Sequence, residues 1–370
     1  MIISPTSADP SIAYMKYHRP TLTSSKRIPL PGRFVAGALV ATLLVAAVSH
    51  PASAQRCLRG VNLAGGEFGG SQGEYGQSYI YPSNETLDWA ASRQMTAIRL
   101  PFKWERLQPE LNGPFDSAEL TRLVEIVRQA NGRGLTVILD PHNYAEYQND
   151  RLGKGNVTAA DFANFWSQLA PVFSGNPLVV YGLMNEPTDI GSAVWFEAAQ
   201  AGLDAIRATG ANNLVLVPGN IWSGASHWFD DQEGGSNAEL FQNISDSADN
   251  FAFEFHQYMD DNFSGTNPTC PRVKDAILAL EGVTGWMRQY GYKGFLGEFG
   301  GTSAPDCLAG LDEFGDYLAS QRDIWIGWTA WAAGDWWGDY PLSLQPDAGV
   351  DKPQINVLKP YFQDLDRQCG

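Results

Sequence analysis

The chain has 370 residues, 44% hydrophobic and 18% charged, with a formal net charge of −16. An excess of 41 acids over 25 bases excludes an all-basic nucleic-acid binder, because phosphate binding needs a positive field. Aromatic residues make up 12% of the chain, enough apolar surface to offset the entropy of ordering, so a disordered polymer is excluded as well.

In chain order, the first feature is the only long apolar run, Phe34 to Val48. One such run excludes a polytopic membrane protein. Lys26, Arg27 and Arg33 precede it and Ala52-Ser53-Ala54 follows, the order of a secretory signal cleaved near Ala54. An uncleaved single-pass anchor is the competing reading. The expected organisation is therefore a secretion signal over 1–54 and one domain over 55–370. Residues 1–54 hold five bases (Lys16, Arg19, Lys26, Arg27, Arg33) and one acid (Asp9), so the remainder carries −20. A neutral substrate fits that charge better than an anionic polymer or a lipid surface.

From Leu58 onward, short apolar runs alternate with amphipathic segments. The runs are Leu58–Leu63, Ala97–Pro101, Thr136–Asp140, Val179–Met184, Leu214–Val217, Phe251–Phe255, Gly294–Gly297 and Trp325–Trp331. Helical spacing of apolar residues predicts helices over Ser117–Asn131, Ala159–Phe173, Ser192–Ala208, Val273–Tyr290 and Leu308–Gln321. Eight strands alternating with helices predict a single (β/α)8 barrel with its site at the C-terminal strand ends. A doubly wound open sheet is the alternative, but no Gly-rich nucleotide turn follows an early strand. Trp222–Asn250 reads as a long polar loop holding a short helix near Ala238–Ile244.

Four cysteines, Cys57, Cys270, Cys307 and Cys369, allow three pairings. Cys270–Cys307 with Cys57–Cys369 is preferred, because the second would join the ends of a closed barrel. None of the cysteines sits at metal-ligand spacing, so no metal is expected.

Polar residues gather where strands end. Arg99, His142, Asn143, Asn185, Glu186, His256, Tyr258, Glu298 and Trp331 all lie at such positions. Glu186 and Glu298 end the fourth and seventh strands, which face each other across a barrel mouth. A pair of carboxyls on one substrate is what glycoside cleavage needs: one protonates the leaving oxygen and the other attacks the anomeric carbon or activates water. Such a pair calls for opposite environments, a raised pKa for the acid and a depressed one for the nucleophile. Glu254 and Asp140 precede His256 and His142 by two residues and read as buried structural acids. Trp222, Trp228, Trp336, Trp337 and Tyr75 fall in loops at the same end and are candidate platforms for sugar rings. Trp89, Trp166, Trp195 and Trp286 sit on helical faces and read as core.

Asn185-Glu186-Pro187 and Gly297-Glu298-Phe299-Gly300 resemble the two signatures of glycoside hydrolase family 5. Arg59-Gly60-Val61-Asn62, Ile98-Arg99-Leu100-Pro101, His142-Asn143-Tyr144, Pro218-Gly219-Asn220 and His256-Gln257-Tyr258 agree, so the resemblance spans about 58–340, and the endo-β-1,4-glucanase branch is the most similar. The resemblance implies Glu186 as general acid/base and Glu298 as nucleophile, with net retention. It implies that Arg99 and Tyr258 bond Glu298, that Asn185 bonds the sugar 2-hydroxyl, and that His142 and His256 bond sugar hydroxyls or adjust Glu186. Trp331 would floor the sugar at the point of cleavage. His227, in Gly224-Ala225-Ser226-His227-Trp228, departs from the family order and receives no role. No cofactor is implied. The expected partner is a β-1,4-glucan polysaccharide or oligosaccharide, with no nucleic acid and no membrane for the mature form. The expected protein is a secreted monomer, extracellular or periplasmic. Another β-glycan (mannan, mixed-linkage glucan or xyloglucan) under the same mechanism, or a non-catalytic glycan-binding barrel, are the alternatives.

Overall fold

The computed structural model describes residues 57–363 and Cys369. The expected leader lies outside the described residues.

Eight strands form a closed ring of parallel neighbours: β1 (Leu58–Leu63), β2 (Ala97–Phe102), β3 (Thr136–Pro141), β4 (Val179–Gly182), β5 (Val215–Pro218), β6 (Phe251–His256), β7 (Gly294–Glu298) and β8 (Trp325–Ala333). This is the (β/α)8 barrel that the alternation predicts. Every strand is buried on both faces, which is why each reads as a near-continuous apolar run. The helices are α1 (Asn84–Ser92), α2 (Trp104–Leu107), α3 (Ser117–Asn131), α4 (Ala159–Phe173), α5 (Ser192–Ala208), α6 (Asn237–Phe241), α7 (Val273–Tyr290), α8 (Pro305–Ser320) and α9 (Pro353–Gln363). Their starts follow local chemistry. Asp116 caps α3, Thr158 and Asp161 form a capping box on α4, and Pro305 opens α8. The pattern did not single out α1 or α9. Ser83, whose side chain accepts from Thr86 N, was the available signal for α1.

The barrel interior is layered. Leu58, Ala97, Ile138, Val180, Leu216, Ala252, Phe295 and Ile326, one from each strand, form a small core of their own. Two residues further along, on the same inward face, come Arg99, Asp140, Gly182, Glu254 and Gly297. An apolar plug thus closes the lower end of the ring, and charged groups sit above it. A larger core of buried apolar side chains joins the outer faces of the strands to the helices.

Two disulfides are formed, Cys57–Cys369 and Cys270–Cys307, the preferred pairing of the three.

One expected sugar platform belongs to the core. Trp228 is fully buried, not displayed from its loop. Its ring packs on Phe255 at 4.7 Å, Trp286 at 5.1 Å, Phe253 at 5.5 Å and Phe241 at 5.7 Å. The loop folds back because this aromatic nest offers its indole more buried contact than solvent does. Trp228→Ala should therefore cost about 3–5 kcal/mol of stability. Chemical unfolding measures it, and a loss under about 1 kcal/mol would show that the ring is not part of the core.

Candidate active site

Arg99 organises the mouth of the barrel. It projects inward from β2, wholly buried. Nη1 donates to Asn62 Oδ1 and Glu298 Oε1, each at 3.0 Å, and lies 2.9 Å from Asp140 Oδ2. Nη2 donates to Asn185 Oδ1 at 2.8 Å, and Nε lies 2.9 Å from Glu254 Oε1. Burial opposes this charge, but Asp140, Glu254 and Glu298 more than offset it, so the guanidinium is held above its ordinary range. Asp140 in turn resists burial through Arg99 and then His142, and stays below the usual carboxylate range.

Glu298 ends β7 with both oxygens engaged. Oε1 accepts from Arg99, and Oε2 accepts from Tyr258 Oη at 2.9 Å. Glu186 follows β4 with φ of 43°, a left-handed conformation that a glutamate rarely adopts. Its Oε1 lies 2.7 Å from His256 Nδ1. That nitrogen is 3.7 Å from Glu298 Oε2, so the imidazole stands between the two carboxylates. One oxygen of each glutamate and a His256 nitrogen all fall within 4.8 Å of one another.

The nucleophile does not show the depression that its role calls for. Burial pushes Glu298 up; Glu186 adds to that, while His256 and Arg99 pull the other way. A nucleophile depressed below its usual range was expected, and depth in the barrel is the reason it is not. His256 is pushed up to about 10: burial works against its charge, and Glu298, Glu186 and Glu254 overcome that. The carboxylates around it favour the doubly protonated ring.

His142 is fixed from two sides. Its Nδ1 faces Asp140 Oδ2 at 2.7 Å, and its Nε2 accepts from Asn185 Nδ2 at 3.2 Å. Trp331 stacks on the ring at 5.5 Å and donates Nε1 to Tyr340 Oη at 3.2 Å. Arg99, His142, Asn185, Glu186, His256, Tyr258, Glu298 and Trp331 therefore meet at one place. Asn143 does not. Its Oδ1 accepts from Trp104 N at 2.8 Å and its Nδ2 donates to Glu105, so it caps α2, whose first N–H groups have no other partner. Asn62 was missed. It orients Arg99 and donates Nδ2 to Gly297 O at 3.0 Å. A carboxamide near the C-terminal end of a buried strand was the signal.

A cavity of about 360 Å³ adjoins Glu186 and His256 on the β4–β6 side. Trp222, Tyr144, His227, Gln257 and Phe263 line it. Ile221, Trp222 and Ser223 form a left-handed turn, with φ of 60°, 52° and 55°, that displays Trp222 at 48% exposure. Ser223 ties the turn to β6, donating Oγ to Glu254 O at 2.6 Å and accepting at its carbonyl from His256 N at 2.9 Å. Across the mouth, Trp336 is exposed. Trp337 is half-buried, stacked on Tyr340 at 4.2 Å and edge-on to Trp331 at 5.9 Å. Tyr75 is exposed further out, with Arg122 over its ring.

Residues 57–334 match the family described as Cellulase (glycosyl hydrolase family 5). The chain belongs to that family. It is a glycoside hydrolase. Endo-beta-1,4-glucanase A of Emericella nidulans is 35% identical over 331 residues, which cover 88% of this chain and 98% of that protein. The solved structure of XacCel5A in complex with cellopentaose is 43% identical, with a TM-score of 0.81 over 83% of this chain and 99% of that one. The endoglucanase Cel5A of Pseudomonas stutzeri, solved with cellobiose, is 32% identical, with a TM-score of 0.76 over 85% and 94%.

In this family 5 enzyme, Tyr258→Phe removes a donor that favours the ionised form of Glu298. The acid limb of the kcat/KM profile should then move to higher pH, by on the order of one unit. An acid limb that stays in place would remove Tyr258 from control of that carboxyl.

Proposed function

We propose that the protein is a secreted endo-β-1,4-glucanase that cleaves cellulose-like chains with retention. The observation that carries this reading is the closeness of the two carboxylates, an oxygen of each within 4.8 Å of the other. Retaining pairs stand about 5–5.5 Å apart, whereas inverting pairs leave about 6.5–9.5 Å for a water molecule.

Glu298 attacks the anomeric carbon, and the bond from that carbon to the glycosidic oxygen breaks. Glu186 gives its proton to the departing oxygen. Water then adds to the glycosyl ester, Glu186 takes back a proton, and Glu298 is released. Two inversions restore the β configuration. Two carboxyls this close repel when both are ionised, so they hold one proton between them over a window of pH. Arg99 and Tyr258 favour the ionised form at Glu298. At Glu186, Oε1 faces His256, which leaves the other oxygen to serve the leaving group.

Glucan binding is supported by flat aromatic faces on both sides of the pair, Trp222 on one and Trp336 and Trp337 on the other. Platforms on both sides suit an internal bond of a long chain. Asn185 faces the position of the 2-hydroxyl, and Trp331 floors the sugar being cleaved. The site is complete within one chain, which suits a monomer. The leader over 1–54 and two disulfides support an extracellular or periplasmic location.

Glu186→Gln should lower kcat on an unactivated soluble glucan by roughly 10²–10⁴-fold. Glu298→Gln should do so at least as severely. Near-normal turnover by either variant removes that residue from its role. The first-formed anomer, read by proton NMR, should be β, and an α product would sink the retaining mechanism. Among carboxymethyl cellulose, mannan, mixed-linkage glucan and xyloglucan, the first should be cleaved internally, with a rapid fall in viscosity. Preference for mannan would keep the chemistry and change the substrate.

A further inference from the structure

Beneath the catalytic pair lies a carboxylate that none of the steps above uses. Glu254 sits on β6 two residues before His256, and both point into the barrel. Its side chain is 1% exposed. Oε1 lies 2.9 Å from Arg99 Nε and 3.3 Å from His256 Nε2. Oε2 is buried with no hydrogen-bond partner. Two glycines on other strands leave the space it fills. A Cβ at Gly297 on β7 would come 2.1 Å from Oε1, and one at Gly182 on β4 would come 3.6 Å from Oε2. A buried charge with one oxygen unsatisfied is an expensive way to fill a barrel, since an apolar side chain would need no desolvation.

His256 shows what the charge does. Its Nδ1 faces Glu186 and Glu298, and its Nε2 faces Glu254. Both ring nitrogens thus meet carboxylate oxygens, and only the doubly protonated ring donates to both sides. Among the described residues, the other charged groups nearby are Arg99 from β2, which Glu254 also pairs, and Asp140 from β3, which is bound to Arg99 and His142.

We propose that Glu254 is a positioning residue for the reaction: its carboxylate holds the His256 ring doubly protonated and aims Nδ1–H at Glu186 Oε1. The inference rests on Glu186 being the acid/base. Glu186 gains and loses a proton in each turnover, while the ring held by Glu254 stays a donor to Oε1. Proton traffic is thereby confined to the other oxygen, the one facing the glycosidic bond.

The test is a ¹⁵N NMR titration of His256 in the intact enzyme without substrate, alongside the pH profile of kcat/KM. In the wild-type protein the ring should stay doubly protonated between about pH 5 and 8. Glu254→Gln keeps the shape and removes the charge. It should move the His256 titration down by on the order of one pH unit or more. The kcat/KM profile should shift the same way, because losing a buried negative charge makes every neighbouring acid easier to ionise. Glu254→Asp restores the charge and should return the profile to its wild-type position. A wild-type His256 that titrates near the ordinary value of about 6.5 overturns the proposal. So does a Glu254→Gln enzyme that is slower at every pH with its profile unmoved, which is the mark of packing alone. If the Gln variant does not fold, the wild-type titration decides. Failure of the acid/base assignment would appear separately, as an active Glu186→Gln enzyme.

Discussion

The charge balance at the barrel mouth depends on one guanidinium. Arg99 is buried, yet it touches Asp140, Glu254 and Glu298 and orients both Asn62 and Asn185. It projects from β2, and strands β1, β3, β6 and β7 converge on it, as does Asn185 just beyond β4. Carboxylates confined to so small a space repel one another and take up protons unless a cation sits among them. Without Arg99, Glu298 would have burial and Glu186 against its ionised form, with His256, His142 and Tyr258 left in its favour. Arginine suits the place better than lysine would, because its planar fork reaches several acceptors at once and keeps its charge when buried.

The rest of the interior is arranged around that cluster. The eight inward apolar residues at the lower end keep water away from below. Glycines at 182 and 297 give the charged layer its room, and the helices cover the outer faces. Fold and site are therefore parts of one layered packing: Ile138 and Asp140 along β3, then His142 just past its end, run from core to chemistry.

The strands were legible because buried parallel strands leave continuous apolar runs, and the site was legible because polar residues end them. What escaped was depth and direction. Trp222 and Trp228 share a polar, glycine-rich loop, and nothing in its composition says which indole folds inward. Phe253, Phe255 and Trp286, distant in sequence, decide it. Asn143 and Asn185 both follow strand ends, but the free N–H groups of a four-residue helix draw the first away. The upward push on Glu298 comes from burial, which charge neighbours in a sequence do not display.

The disulfide Cys57–Cys369 changes how the ring is connected. Seven of the eight strand pairings join strands that are consecutive in the chain. The eighth, β1 with β8, joins the two most distant parts of the chain, with Leu58 opposite Gly327. The bond provides a covalent route from the end of β8 through α9 back to the start of β1, about as long as an ordinary crossover. Once it has formed, the last pairing closes a loop of one repeat instead of one of the whole domain, and the entropy of closure falls accordingly. The oxidised barrel is then a cycle of eight similar steps, and a break opened in any connecting loop would leave it no more divided than the natural ends do.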